Sequence, residues 1–283
     1  PRQGTLFRAV SRRRGGPRVS SDANLRLEEI ALALAERAGV SLGEGLDHAL
    51  RDGVHAAAAA LGVSPEEIGR RIVAREPDAL AALVEHAVVG ETAFWRHPEQ
   101  LAAFGRLVRG AAAPLRIWSV GCATGEEPYS VAVVLLEAGR LGAGDRILGT
   151  DVSTRALAAA AAGAYRARAL RKLPRTLERW FEPGEPRRVR PEVRALVSFA
   201  RHNLVADPVP QGGGFDVVFC RNVLIYFSPE TAAAALYRLV GALAPGGLLV
   251  LGPVEVPLAA PLGLEWVEGG GATLLRRPPE PAP

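Results

Sequence analysis

Two glycines and an aspartate hold the clearest chemical signal in this chain. Gly121 and Gly125 bracket the turn Gly-Cys-Ala-Thr-Gly directly after the apolar run Arg116–Val120, and residues 128–136 follow with helical periodicity. Strand, glycine turn and helix in that order set backbone N–H groups and a helix N-terminus beside a ligand at the carboxyl edge of a parallel sheet. Glycine at 121 and 125 lets the backbone approach that ligand, because a side chain would take its space. The spacing is Gly-x-Ala-x-Gly, which departs from the Gly-x-Gly-x-x-Gly of dinucleotide binders. Asp151 follows a second apolar strand, residues 146–150, and lies 26 positions beyond Gly125. A carboxylate there can accept hydrogen bonds from both ribose hydroxyls of an adenosine-containing cofactor. The plainer alternative is a helix cap, although Ser153 and Thr154 can fill that position too. Glu126 and Glu127 come next after the turn; one can reach the ligand, and both suit the first turn of a helix. These features leave NAD, FAD and S-adenosylmethionine open.

The elements that position these residues fall into two regimes. Residues 22–89 read as helical throughout. Ser21 or Asp22 can cap a first helix over Leu25, Leu27, Ile30, Leu32 and Leu34, ending before Gly39. Residues 46–61 form a second, Ser64-Pro65 opens a third, and Leu80, Leu83, Val84 and Val88 give a fourth its apolar stripe. No chemistry is visible in this small all-helical domain. From Leu115 short apolar strands (residues 116–120, 146–150, 215–220 and 248–251) alternate with helices (128–136, 155–162 and 231–243). That rhythm predicts a parallel sheet with helices on both faces. It fails between about residues 163 and 200, an Arg- and Pro-rich segment read as an insertion on the rim of the sheet.

Composition narrows the class. At 283 residues with 48% hydrophobic residues, the chain can bury a substantial core. No run of about 18 apolar residues occurs, so membrane insertion is not expected. The net charge of +4 is too small to require nucleic acid. Lys172 is the only lysine, so arginine carries nearly all the positive charge. Two cysteines make no disulfide framework and fit a reducing, cytoplasmic setting. Cys122 and Cys220 end the first and fourth strands, which places their thiols close together near the cofactor. The five histidines show no metal-ligand spacing, and no metal site is expected. Methionine is absent, as in a chain that begins after processing or truncation, or in an altered sequence. Residues 1–21 read as a flexible basic leader and residues 277–283 as a disordered Pro-rich tail.

Four segments together carry a family resemblance: RIWSVGCATGEEPYS, ILGTDVSTRAL, FCRNVLIYF and ETAFWR. With them the chain closely resembles the CheR-type chemotaxis receptor (protein-glutamate) O-methyltransferases over about residues 25–275. The resemblance implies an α/β fold: a Rossmann-like class I methyltransferase domain with a doubly wound sheet, a small all-α N-terminal domain and a small inserted rim subdomain. The methyltransferase domain would cover residues 114–276, with 163–200 as its insertion and 90–113 as a linker contributing to the cofactor site. The cofactor would be S-adenosylmethionine and the product S-adenosylhomocysteine. Thr92 and Arg96 would lie over the cofactor, with Arg96 near its sulfonium. Glu127 would hold the amino group side, Asp151 the ribose, and Asn203 and Leu204 the adenine. Gly121 and Gly125 would form the turn beneath it. Arg221, Asn222 and Tyr226 would line the methyl-transfer pocket, with Arg96, Arg221 and Tyr226 serving catalysis.

The acceptor implied is a glutamate carboxylate on a protein, with a chemoreceptor cytoplasmic domain as the implied partner. Three departures bear on that partner. The second helix, LDHALRDGVHAAAAALG, has Arg51 as its only arginine, where chemotaxis members carry several basic residues. The rim segment WFEPGEPRRVRPEV lacks the glycine-containing extension by which some members grip a receptor's C-terminal pentapeptide, implying independence of that tether. GPVE stands where many members have glycine–histidine–serine–glutamate, so Pro253 and Val254 alter the pocket rim. The rival readings are a methyltransferase of the same fold with a different protein or small-molecule acceptor, and a non-catalytic cofactor-binding regulatory module.

Overall fold

The computed structural model describes residues 26–40, 47–87, 92–269 and 271–279. The expected caps Ser21 and Asp22, the stripe residue Val88, the leader and residues 280–283 lie outside them.

Four helices, α1 (Leu27–Ala38), α2 (Asp47–Leu61), α3 (Pro65–Val73) and α4 (Pro77–Ala87), enclose a small core of Ile30, Leu34, Val54, Ile68, Ile72 and Leu83. Local chemistry sets their ends. Ser64 accepts a hydrogen bond from the Glu67 N–H at 3.2 Å with Pro65 in the first turn, and Gly39 closes α1 at φ +75°. After the linker, α5 (Pro98–Val108) leads into the sheet domain.

The strands are β1 (Arg116–Val120), β2 (Arg146–Asp151), β3 (Ala164–Tyr165), β4 (Arg187–Arg188), β5 (Val197–Arg201), β6 (Phe215–Cys220), β7 (Leu243–Leu251), β8 (Glu265–Gly269) and β9 (Ala272–Arg276). Seven form one sheet in the order β5-β2-β1-β6-β7-β9-β8, while β3 and β4 pair separately. The five strands from β5 to β7 are parallel, and β9 and β8 extend the β7 edge antiparallel. Crossovers run through α6 (Glu126–Glu137), α7 (Thr154–Ala162) and α9 (Pro229–Ala242), with the four-residue α8 (Pro191–Arg194) preceding β5. Side chains alternate between two buried faces, as a strand covered on both sides requires. Ile117, Val217, Phe219 and Val250 face α5 and α6, whereas Trp118, Val120, Val218 and Leu251 face α9.

The doubly wound α/β architecture is therefore present, with three differences in detail. Residues 197–200, read from sequence as part of the rim insertion, belong to β5 and pair with β2 from Ile147 to Thr150. Pro245, Gly246 and Gly247, between the expected helix 231–243 and strand 248–251, lie inside β7, whose pairing with β6 is interrupted there. The β8–β9 hairpin was not foreseen. Its strands alternate weakly, and β8 is largely exposed, so its pattern carries little periodic signal.

The helical domain is fastened to the sheet domain next to the ligand edge. The Asn203 amide donates to the Arg37 carbonyl at 2.6 Å, and Val40 bridges Phe227. Glu85, on α4, caps the start of α7: its carboxylate accepts from Ser153 Oγ, Thr154 N and Oγ1, and Arg155 N at 2.5–3.2 Å. Burial pushes the Glu85 carboxyl up, but these donors outweigh it and hold the group below its ordinary value. Its stabilisation is therefore complete above the unfolded value of about 4.3 and is lost as pH falls through the lower folded value. Glu85→Ala is expected to reduce unfolding free energy at pH 7 by about 1–2 kcal/mol, allowing for solvent screening. Urea denaturation at pH 7 and near pH 4 checks this, because the difference between variant and parent must shrink in acid.

Candidate functional site

A cavity of about 300 Å³ opens at the carboxyl ends of β1, β2 and β6. Thr92, Arg96, Gly121, Glu127, Asp151, Asn203, Leu204, Arg221, Asn222 and Tyr226 border it, brought together from the linker and from four sheet connections. Ala38, Val40 and Glu85 border it as well, so the helical domain supplies one wall. Sequence reasoning placed nothing there, because a lone glutamate on an amphipathic helix looks like a solvated surface residue.

The glycine turn is shaped by protein packing. Gly121, Ala123 and Gly125 adopt φ of +63°, +46° and +90°. A Cβ on Gly121 would meet Val223 Cγ2 at 2.5 Å, so glycine here admits the loop after β6. Gly125 does not border the cavity; its Cβ would strike Ala160 at 2.7 Å. The expectation that both glycines make room for the ligand is corrected on this point: position 125 makes room for α7. Of the two glutamates after the turn, Glu127 borders the cavity and Glu126 does not; burial pushes the Glu126 carboxyl up.

Asp151 spans both connections. Its Oδ2 accepts from Ala123 N at 2.8 Å and its Oδ1 from Ser153 N at 2.9 Å. Ser153 Oγ caps α7 through Ala156 N, so capping is not left to the aspartate. Each Asp151 oxygen keeps a further lone pair, and the residue is 8% exposed at the cavity wall. Burial raises its carboxyl above the ordinary value, against the two backbone donors.

Opposite lies a buried ion pair. Arg221 Nε donates to Glu127 Oε2 at 2.6 Å, with the side chains 2% and 12% exposed. Ser119 Oγ donates to the other Glu127 oxygen at 2.7 Å, and Arg221 Nη1 donates to the Arg96 carbonyl at 2.7 Å. Gln100 adds an amide oxygen 3.4 Å from Arg221 and donates its own N–H to Leu251 O. The guanidinium thus joins α5, α6 and the linker, and Glu127 ties the pair to β1 through Ser119. A buried charge needs this many partners to offset its desolvation.

The loop after β6 hangs on one carboxylate. Glu255 is fully buried; Oε2 accepts from Asn222 N and Gly252 N, and Oε1 from Val223 N, Leu224 N and Ile225 N, at 2.7–3.3 Å. Asn222 is held at φ +60°, and its Oδ1 is buried without a protein hydrogen-bond partner at the cavity wall. The GPVE run had drawn attention to Pro253 and Val254; the residue that shapes the site is Glu255. Glu255→Gln puts an N–H₂ group against backbone donors. It is expected to cost about 3 kcal/mol in unfolding free energy, from at least two unsatisfied buried N–H groups. Urea denaturation measures it, and a loss within 1 kcal/mol (about the value of a single hydrogen bond) would remove this anchor.

The remaining candidates divide. Asn203 spends its amide on structure, accepting from Val205 N and Ala206 N besides its bond to Arg37, so only its surface borders the cavity. His202 also borders it: Nε2 contacts Pro208 O at 3.1 Å, and Nδ1 is buried without a partner. Burial holds the His202 imidazole below its ordinary value. Cys122 borders the cavity but lies two residues past β1, while Cys220 sits in the α9-side core and borders no cavity wall. Both thiols are free and buried, and burial pushes both well up. The expectation that both face the cofactor is corrected for Cys220. Among the described residues no His, Cys, Asp and Glu group could hold a metal ion, and no helix is long and apolar enough to cross a membrane.

The comparisons with known proteins agree with this arrangement. Residues 90–260 match the CheR methyltransferase family, SAM binding domain. The chain is 45% identical over 150 residues to chemotaxis protein methyltransferase 1 of Pseudomonas aeruginosa, covering 50% of this chain and 54% of that protein. It is 32% identical over 252 residues to chemotaxis protein methyltransferase Cher2 of Pseudomonas putida, covering 83% of this chain and 91% of that protein. The Salmonella typhimurium chemotaxis protein methyltransferase is 32% identical, with 83% and 84% covered. The match thus spans about half of the first relative and most of the other two. With its glycine turn, Asp151 and post-β6 loop on one cavity, this chain belongs to the CheR methyltransferase family, and residues 90–260 are its S-adenosylmethionine-binding domain.

Proposed function

We propose that the protein transfers a methyl group from S-adenosylmethionine to glutamate carboxylates of a protein acceptor in the cytoplasm, without need of a receptor pentapeptide tether. The observation that carries this reading is the convergence of Asp151, Arg96, Glu127–Arg221, Asn222 and Tyr226 on one cavity. The residues fit the cofactor: Asp151 offers two carboxylate lone pairs to a diol, and Asn222 Oδ1 is a buried acceptor at the wall. When bound, S-adenosylmethionine supplies an electrophilic methyl on a sulfonium.

The chain's own task is alignment. A glutamate acceptor, with a pKa of about 4.3, is ionised at neutral pH and needs no general base. Arg96 and Tyr226, from the linker and the post-β6 loop, orient that carboxylate, while the apolar walls exclude water. Arg221 is committed to Glu127, which keeps its charge from clamping the nucleophile too tightly. The outer face of α2, with exposed Ala59, Ala60 and Asp52, carries little positive charge. That favours an acceptor other than a standard chemoreceptor fragment.

Asp151→Ala should weaken S-adenosylhomocysteine binding at least tenfold in calorimetry, since each charge-assisted hydrogen bond lost is worth about 1.5–3 kcal/mol. Unchanged affinity in the folded variant would remove the ribose assignment. Tyr226→Phe should keep that affinity within about twofold while lowering turnover, and Arg96→Ala should damage both. Methyl label on the acceptor should be released as methanol by base, as an ester requires. Base-stable label would exclude a carboxylate acceptor.

A further inference from the structure

Charge is unevenly placed in this molecule. Residues 163–201 hold eleven arginines and lysines against four glutamates, a net +7, whereas the whole chain carries +4. The rest of the chain is therefore net −3. Within that segment Arg166, Arg168, Arg171, Lys172 and Arg175 fall in ten residues with no acid, and all five are exposed. The ion pairs of the segment are made by Arg179, Arg187 and Arg201 instead, so none of the five is neutralised by an acid among the described residues.

This run lies beside the cavity. Tyr165, just before it, donates its hydroxyl to the Thr124 carbonyl at 2.6 Å, and Thr124 borders the cavity. Within it, the Ala169 carbonyl accepts from Phe94 N at 3.4 Å, in the linker that carries Thr92 and Arg96. Tyr165 and Leu170 are buried in the core shared with Phe94 and α6, so the run is fixed at both points. A row of unpaired cations is thereby held next to the linker that forms a wall of the site.

We propose that this surface docks an acidic segment of the acceptor protein and so brings a glutamate to the cavity; the inference rests on the methyl-transfer reading above. Exposed, unpaired arginines attract anions over about one Debye length and set encounter rates as well as orientation. A protein acceptor fits better than nucleic acid, because no exposed aromatic interleaves with the five cations, as stacking on bases would require. The reactive group is a carboxylate, so an acidic docking stretch and the acceptor glutamates belong to one surface.

The test uses fluorescently labelled poly-L-glutamate, titrated by anisotropy into the full chain and into an R168E/K172E variant. A control, R26E/R70E, makes the same charge change on the helical domain. The parent and the control should bind the probe alike, and R168E/K172E should bind about tenfold more weakly. Affinity of the parent should fall steeply between about 50 mM and about 200 mM salt. S-adenosylhomocysteine affinity, measured by calorimetry, should be equal in all three proteins, which also reports that each is folded. Equal loss in both variants, or no binding by the parent at low salt, would overturn the docking surface. So would tighter binding of a DNA duplex of matched charge, which would make it a nucleic-acid surface. Failure of the parent to bind S-adenosylhomocysteine would sink the methyl-transfer reading, while the polyglutamate titration judges the surface by itself.

Discussion

The Arg221–Glu127 pair is the interaction on which the site is built. Two ionised groups taken out of water cost several kcal/mol each, and hydrogen bonds to both members of the pair offset that cost. Ser119 on β1 satisfies one glutamate oxygen, Arg221 the other, and the Arg96 carbonyl and Gln100 take the spare guanidinium donors. Because these partners come from α5, α6, β1 and the linker, the cavity's shape and the pair's stability are the same condition. Removing either ion leaves its partner buried and unpaired, a loss of about 3–5 kcal/mol. A cavity fixed this way spends little on reorganisation when a ligand enters, which is what an alignment-driven reaction requires.

The same logic recurs on either side of the pair. Glu255 gathers the backbone N–H groups of the post-β6 loop, and Glu85 gathers those at the start of α7. In both, one carboxylate from a distant stretch satisfies donors that a turn or a helix start leaves open. Asp151 does this with two donors while keeping a cavity-facing position. The acids around the site therefore differ in what they hold: Glu85 and Glu255 gather backbone donors, Glu127 holds Arg221, and Asp151 gathers backbone donors while facing the cavity.

That division explains how much could be read in the sequence. Strand, turn and helix signals are local, so β1, the glycine turn, β2, Asp151 and the Ser64 cap were legible within a few residues of themselves. The site members with distinctive neighbours, Arg221, Asn222 and Tyr226 within CRNVLIYF, were legible through resemblance. Glu85 and Glu255 were not, because most of the backbone donors they gather lie 30 or more positions away. Gly125 was misjudged for a related reason: a positive φ explains why a glycine stands there, but which atom its Cβ would strike is a tertiary fact. The edge strands β8 and β5 escaped because half-exposed edge strands lose the apolar run that marks buried ones.

Placement of charge completes the picture. Inside the cavity an unmatched buried guanidinium would carry its full desolvation cost, and Arg221 is matched by Glu127. Outside, screening by water weakens each arginine to a small contribution, and many are needed for one effect. The chain shows both halves of this constraint. Arg221, at the cavity, is paired with Glu127, while five cations without an acid partner, Arg166, Arg168, Arg171, Lys172 and Arg175, are crowded on the rim next to the linker. In the proposed reading attraction and reaction fall on different surfaces, so the rim can change its partner without disturbing the geometry that Arg221 and Glu127 hold.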